Sequence, residues 1–472
     1  MVGHNGFVAD VPTHELTTSP RAPVRDGVWA PGRRALTIGL VLTITLVGFE
    51  GLAIATIGPV VERDLGNLDL YGWVFSAFFL ASLVGIVVAG RSADKVGPAR
   101  PFVAGLIFFA LGLLGGGIAP TMLLLVIARA VQGFGAGAIP AVAYVAIGRA
   151  YPTALQPRMF AVLSTAWVLP GLIGPAISGL VADQLGWRWV FLGLLPLVAI
   201  TGTLALPALH ALGPPGGPEP LDRRSAAIVL AIGAALVLAG ASAHSPVVAP
   251  LLVVAGLVIG IRAFLRLMPS GTVRLAAGLP AAVALRGILT FAFFGTDAFV
   301  SLTLTETHHV STVVTGFVIT AATLFWTGGA WVQERLVLRV GPQTMVRVGT
   351  LTIALGIGLM IVVAQYAVPI GLAVVAWATG GFGMGLAYAP LSLVVLGEAP
   401  TGGEGMAAAA LQLCDTLGVA LGTGVTGAII AAGASLGWQP ASALSLAFAL
   451  CAGFAVFAAL GAMQLPKAIQ FD

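Results

Sequence analysis

The chain is a succession of apolar runs, each about 20 residues long, and that feature leaves few folds open. A run of this length crosses a ~30 Å hydrocarbon layer as a helix. Lipid admits only helices or closed barrels, because every backbone polar group must be paired within the protein. No alternating ~10-residue pattern of the barrel kind is present. Composition agrees: 58% of the 472 residues are hydrophobic and 8% are charged, against roughly 25% charged in a soluble domain. The expected class is an all-α membrane protein.

The runs fall near 35–59, 70–90, 101–119, 121–147, 159–182 and 188–210, then 225–243 and 246–268, and finally 279–304, 311–333, 343–364, 367–396, 404–432 and 438–464. A Gly-Pro-Pro-Gly-Gly-Pro stretch followed by Asp222, Arg223 and Arg224 separates the first six from the next pair. This divides the chain into a polar tail (1–34), a six-helix bundle (35–210), a linker (211–224), an inserted pair with its loop (225–278), a second six-helix bundle (279–465) and a short tail (466–472). Threading fourteen spans with the N-terminus inside puts 18 Lys and Arg on the inner side and only Arg63 and Arg188 on the outer. Cytoplasmic loops carry such an excess. A miscounted span would scramble it, so fourteen spans with both ends in the cytoplasm is the expected topology.

Three short stretches recur about 245 residues apart, in the same order. Gln132-Gly133-Phe134-Gly135-Ala136-Gly137 returns as Gly380-Gly381-Phe382-Gly383-Met384-Gly385, Lys95-Val96-Gly97-Pro98 as Arg339-Val340-Gly341-Pro342, and Gly48-Phe49-Glu50 as Gly295-Thr296-Asp297. Spans 1–6 and 9–14 therefore read as parallel repeats. Proteins built this way bind at the midplane between the halves and rock one half against the other.

The net charge of +4 sits in short loops, with no basic run of the length a nucleic-acid arm needs. No nucleic-acid partner is expected; the lipid bilayer is the main one. Cys414 and Cys451 lie in apolar runs without metal-ligand spacing, so neither a metal nor any other cofactor is expected. Heavy use of Ala, Gly and Arg, with Lys only at Lys95 and Lys467, suggests a bacterial source of high GC content.

The sequence resembles the major facilitator superfamily, and within it the fourteen-span drug:proton antiporter branch. After span 2, Gly90, Asp94, Lys95 and Gly97 match the family's loop motif; Pro98-Ala99 stands where the family has a basic pair, with Arg100 one place later. Span 4 carries Arg129, Gln132 and Gly133, similar to the family's arginine motif of proton transfer. Span 5 carries Gly171, Gly174, Pro175 and Gly179, similar to the antiporter motif, with Ser178 in place of one glycine. Glu50 stands nine residues before Pro59, where the branch has Asp. The resemblance implies two six-helix bundles plus two inserted helices, working as a monomer in the bacterial inner membrane, and export of a hydrophobic or amphipathic small molecule against inward protons. A dedicated exporter of a metabolite, siderophore or lipid fits the same residues. A membrane-embedded enzyme is the weaker rival, its only candidate cluster being His308-His309 beside Glu306.

Physically, small residues at Gly171, Gly174 and Gly179 let helices approach closely, and Pro175 weakens its helix locally. Five ionisable residues fall inside spans: Glu50, Arg129, Arg286, Asp297 and Asp415. Each is costly facing lipid, so a protein-lined environment is expected. Counting 1.5 Å per residue, Glu50 and Arg129 share a depth of roughly 12 Å below the outer boundary. Burial and a neighbouring arginine act oppositely on a carboxyl's hold on its proton. Proton coupling through Glu50 with Arg129 is one reading, a static ion pair the other. Asp297, the repeat partner of Glu50, shares a helix face with Arg286, Thr290 and Phe293; it is a second proton or cation site, or a structural pair. Arg286, near the inner end, is expected to snorkel to lipid headgroups. Gln132, Trp167, Phe293, Trp326, Gln412 and Asp415 are the expected lining of an apolar substrate cavity, although most aromatics in such a chain pack or face lipid.

Overall fold

The computed structural model describes residues 27–66, 68–214, 224–241, 247–310, 312–365 and 368–468. Among them there is helix and no strand. The tail 1–26, most of the linker (215–223) and residues 469–472 lie outside the described residues.

The first half comprises α1 (Pro31–Leu65), α2 (Leu68–Val96), α3 (Ala99–Gly117), α4 (Met122–Ala150), α5 (Gln156–Thr165), α6 (Val168–Leu185), α7 (Arg188–Leu192) and α8 (Leu195–Ala211). The insert is α9 (Arg224–Ala241) and α10 (Val248–Leu267). The second half comprises α11 (Leu279–His308), α12 (Thr312–Gln365), α13 (Ile370–Glu398), α14 (Glu404–Ser435) and α15 (Pro440–Gly461).

Among the described residues, eleven helical stretches are long and apolar enough to cross a membrane, so the chain is a multi-pass membrane protein. The difference from fourteen has three causes. The run 159–182 is divided between α5 and α6, α9 has only a short apolar stretch, and α12 carries two of the expected runs in one element. The α5–α6 break follows from Pro170, which has no N–H to offer the carbonyl of Ala166 four residues earlier. The Thr45 hydroxyl of α1 donates to that carbonyl instead, at 3.0 Å. Pro196 acts similarly between α7 and α8, where it occupies the first turn of α8. Inside α12 the chain kinks at Gly341, whose φ is 81°. A Cβ there would lie 1.8 Å from the carbonyl oxygen of Lys467, so only glycine fits. Its repeat partner Gly97 has φ 84° and is likewise followed by proline.

The repeat extends from sequence into packing. Where α2 meets α4, a Cβ added at Gly85, Gly133 or Gly137 would strike the carbonyl oxygen of Phe134, Phe78 or Ser82. Where the first part of α12 meets α13, Gly329, Gly381 and Gly385 meet those of Phe382, Ala322 and Trp326 in the same order. Missing side chains let the backbones come together, the arrangement that holds helices in lipid, where apolar side chains gain nothing by leaving solvent.

The halves meet where α2 and α4 face α14 and where α5 faces α12 and α13. Gly90 and Gly405 bring α2 against α14, and the Trp331 indole N–H donates to the Thr165 hydroxyl across the seam at 3.1 Å. The insert packs beside the halves: α9 lies on α2 and α10 on α9. Little of α10 is buried; Leu251, Val254, Val258 and Ile261 point outward, as a lipid-facing helix requires.

Candidate functional site

Glu50 on α1 and Arg129 on α4 form an ion pair, each 2% exposed. Arg129 is held from every side: Nε donates to the carbonyl of Val74 on α2 at 3.1 Å, Nη1 to Gln132 Oε1 at 2.7 Å and to Glu50, and the guanidinium lies 4.3 Å from the centre of the Phe78 ring. Glu50 Oε2 and Gln132 Nε2 have no hydrogen-bond partner among the described residues. A buried guanidinium needs this many partners, because removing water from a charge costs several kcal/mol. Arg129 would keep three of them if Glu50 were protonated.

The repeat-equivalent place in the second half is filled differently. Asp297 on α11 accepts from the Trp377 indole N–H of α13 at 2.7 Å. Trp377 stands about 245 residues after Arg129, so a neutral donor replaces the cation. Its ring stacks on Phe293 at 4.8 Å and 12°, and Phe293 meets Trp326 edge-on at 5.5 Å. Trp326 in turn reaches Tyr388, 5.4 Å away.

Arg286 does not snorkel. It is fully buried, its Nη2 donating to the Tyr388 carbonyl at 2.7 Å and to Ser392 Oγ at 2.5 Å, with the guanidinium 3.5 Å above the Tyr388 ring. The reason is the face it shares with Phe293 and Asp297, which α11 turns toward α13. Asp415 on α14 stands 3.5 Å from Arg286 Nη1 and accepts from the Tyr388 hydroxyl at 3.1 Å.

Among the expected cavity residues, the structure brings Phe293, Trp326 and Asp415 into this second cluster, with Phe293 packed rather than open. Gln132 is fully buried against Arg129, and its Cβ fills the space left by Gly112 of α3. Gln412 is nearly buried, and Trp167 is 47% exposed at the α5–α6 break with its ring against Gly48.

The loop-motif residues meet the opposite half. Asp94 accepts from the backbone N–H groups of Gly405 at 2.5 Å and Met406 at 2.8 Å, capping the first turn of α14. Gly90 permits that approach, and Gly97 supplies the left-handed turn after it. Lys95 and Arg100 are exposed.

The antiporter-motif glycines do not pack as expected. A Cβ at Gly179 would meet nothing within 4 Å, one at Gly174 would reach Phe49 at 3.6 Å, and one at Gly171 the methyl of Thr323 at 3.8 Å. These are ordinary contacts or none. In the corresponding stretch of α14, Gly418 and Gly422 press against the carbonyl oxygens of Gly287 and Phe291, at 2.2 and 2.4 Å from an added Cβ. Among these glycines, close approach to a backbone oxygen is made by those of α14 and not by the described ones of α6. The side chain of Pro175 is outside the described residues.

Trp377 and Tyr388 are readable from the sequence as candidate cavity aromatics, but their pairing with Asp297 and with Arg286 and Asp415 is not. The repeat offset from Arg129 is the signal that could have found the first of these pairings. Ser392 carries no signal beyond being polar in an apolar run. The His308 ring, half of the rival enzyme candidate, is bonded to the Val363 carbonyl at 2.8 Å and ties α11 to the end of α12.

Comparison with known proteins agrees with this architecture. The profile of the Major Facilitator Superfamily matches residues 38–423. A probable multidrug-efflux transporter of Mycobacterium tuberculosis (strain ATCC 25618 / H37Rv) is 29% identical over 435 residues, covering 88% of this chain and 90% of that one. Multidrug resistance protein 3 of Bacillus subtilis (strain 168) is 32% identical over 166 residues, about a third of either chain. Among solved structures, the human organic anion transporter MFSD10 (TETRAN) superposes with a TM-score of 0.69 at 12% identity, over 92% of this chain and 99% of that one. The proton:xylose symporter XylE superposes with a TM-score of 0.65 at 14% identity, over 90% and 94%. With its repeated halves and a profile match over most of its length, the chain belongs to the major facilitator superfamily.

Proposed function

We propose that this transporter exports hydrophobic or amphipathic small molecules in exchange for protons, by alternating access. It works as a single chain of fourteen spans, with both termini in the cytoplasm of a bacterium. The multidrug-efflux names of its relatives support the substrate class. One observation carries the coupling: Glu50 and Arg129 are sealed from water together, yet Arg129 has Val74, Gln132 and the Phe78 ring to hold it when Glu50 takes a proton. Protonation therefore discharges α1 without stranding a bare cation on α4, and the two helices lose their strongest mutual attraction. Asp297 and Asp415, with the aromatic row between them, receive the substrate. Spans 7 and 8 stand outside the two working halves.

The test uses proteoliposomes under an imposed pH gradient. Wild type exports ethidium, and an uncoupler abolishes export. Glu50→Gln, fixed in the neutral form, loses gradient-driven export at least about tenfold while still exchanging dye across the membrane. Gradient-driven export at the wild-type rate in Glu50→Gln would remove Glu50 from the mechanism.

A further inference from the structure

One cavity stands apart from the buried ion pairs. It opens in the first half, where α2 turns into α3 and α8 ends, and has a volume of about 320 Å³. Lys95 of α2, Arg100 of α3 and His210 of α8 line it, together with Ala99, Gly213 and Pro214. The three basic side chains are exposed. Among the described residues no carboxylate lines the space; that of Asp94, next to Lys95, is turned onto the first turn of α14.

The repeat shows why the space exists. In each half the chain that follows the last helix lays a carbonyl against the left-handed glycine of the loop, Gly213 against Gly97 and Lys467 against Gly341. Two residues after Gly341, the side chain of Gln343 closes the gap, its Nε2 donating to the Met463 carbonyl at 2.9 Å. The counterpart in the first half is Ala99, whose methyl stops short. The far wall is nevertheless fixed, because Arg149 donates to the carbonyls of Leu212 at 2.6 Å and Gly213 at 3.1 Å. The His210 ring bonds the Leu206 carbonyl through Nδ1 at 3.0 Å, and a proton gained at Nε2 makes it cationic beside an anion. α3 opens without a side-chain cap, so its first N–H groups add positive potential on the same side.

The cavity also leads onto the lipid-facing surface. Arg100 heads the exposed apolar face of α3 formed by Ile107, Leu111 and Leu114. His210 ends the exposed face of α8 that carries Ile200 and Pro207, and the two helices are neighbours. A soluble phosphate uses only the charge; a phospholipid uses the charge and both apolar faces.

We propose that this cavity binds the phosphate of an anionic phospholipid from the leaflet on that side, with the acyl chains along α3 and α8. Basic pockets between membrane helices recognise such headgroups. Three basic side chains that meet no carboxylate favour a headgroup of net negative charge over a zwitterionic one. The bound lipid staples the start of α3 to the end of α8, and so to the root of the linker that leads to the insert.

Native mass spectrometry of the delipidated protein counts the lipids it takes up. Dioleoylphosphatidylglycerol is expected to fill one site at least about tenfold tighter than dioleoylphosphatidylcholine, which has the same chains and no net charge. Arg100→Gln should weaken that site about fivefold, and Arg100→Gln/His210→Gln further. Arg262→Gln removes an exposed charge near the end of α10 and should leave the site intact. Ala99→Gln removes no charge but copies the second half, and should lose the site by filling it; if that variant fails to fold, the Arg100 and Arg262 variants decide. Equal affinity for the two lipids overturns the proposal. So does an equal loss in Arg262→Gln and Arg100→Gln, which would mean a diffuse basic surface. Uptake of inorganic phosphate that depends on Arg100, without preference between the lipids, assigns the cavity to a soluble anion and overturns the lipid.

Discussion

The two halves place a carboxylate at the same point and answer it differently. In the first, Glu50 meets Arg129 of α4, and the described glycines of α6 make ordinary contacts or none. In the second, Asp297 meets the indole of Trp377, and α11 and α14 are pressed together at Gly418 and Gly422. The repeat gives the position; the difference lies in what occupies it. A buried charged pair such as Glu50 with Arg129 has two states within reach, because protonation removes a strong attraction. Asp297 is met by a single hydrogen bond from an uncharged donor on α13, so less attraction is lost there when the carboxyl takes a proton. The two halves thus differ, at equivalent positions, in how much attraction protonation of the carboxyl would remove.

The sharpest way to break the comparison is to remove each carboxylate's partner. Arg129→Leu leaves Glu50 buried and unpaired, which costs about 3–5 kcal/mol if the charge persists. Trp377→Phe removes a single hydrogen bond and keeps the stack on Phe293, for about 1–2 kcal/mol. Thermal unfolding in detergent, followed by tryptophan fluorescence, should rank Arg129→Leu well below Trp377→Phe. Equal losses would mean the two sites are energetically alike.

A smaller effect comes from the seams. Gly422→Ala drives a methyl into the Phe291 carbonyl and should cost about 1–3 kcal/mol, whereas Gly174→Ala meets only van der Waals contact and gains helix propensity. The second variant should be as stable as wild type or slightly more so. If it nevertheless loses transport, Gly174 is needed in a conformation other than this one. The same unfolding assay, paired with dye export, decides.

The smallest effect lies at an exposed edge of the first half. The Trp187 indole N–H and then Arg188 hold the Asp64 carboxyl below its usual range, tying the end of α1 to the start of α7. A lowered carboxylate stabilises the fold above its unfolded value, about pH 4, and that contribution fades as the pH falls through the folded value. Hydrogen exchange at α7 should therefore quicken on acidification below about pH 4. Asp64→Asn should show the faster rate at neutral pH. The second half has no described counterpart of this staple, so its corresponding edge should not respond.

Much of this was legible in the sequence because it is written in one dimension. Apolar length marks out a multi-helix membrane chain, and recurring glycines mark the repeat, down to which backbones touch. Glu50 and Arg129 could be paired because depth follows from counting residues along straight helices. Arg286 was misread for the converse reason: counting gives depth but not azimuth, and only the packing of α11 on α13 shows that its side chain turns inward. The motif glycines Gly171, Gly174 and Gly179 mislead differently. Small residues permit a close approach without requiring it, and whether α6 uses the permission depends on the conformation. Gln132 sits one turn from Arg129, and its amide was claimed by the nearest buried charge, a competition that residue spacing does not display.

The Thr45 hydroxyl bonded to the carbonyl of Ala166 has a bearing on how the chain is made. While the segment around 159–182 emerges from the ribosome it is one continuous greasy stretch, suited to entering the bilayer as a single rod. Its proline leaves one carbonyl with nothing to bind, and in lipid that vacancy is expensive. In the folded chain the hydroxyl that fills the vacancy comes from α1, which precedes it by more than a hundred residues. The bend at residues 166–167 is thus an instruction that the fifth rod carries in its own sequence but that only the first can complete, so early helices act as a template for the shape of later ones.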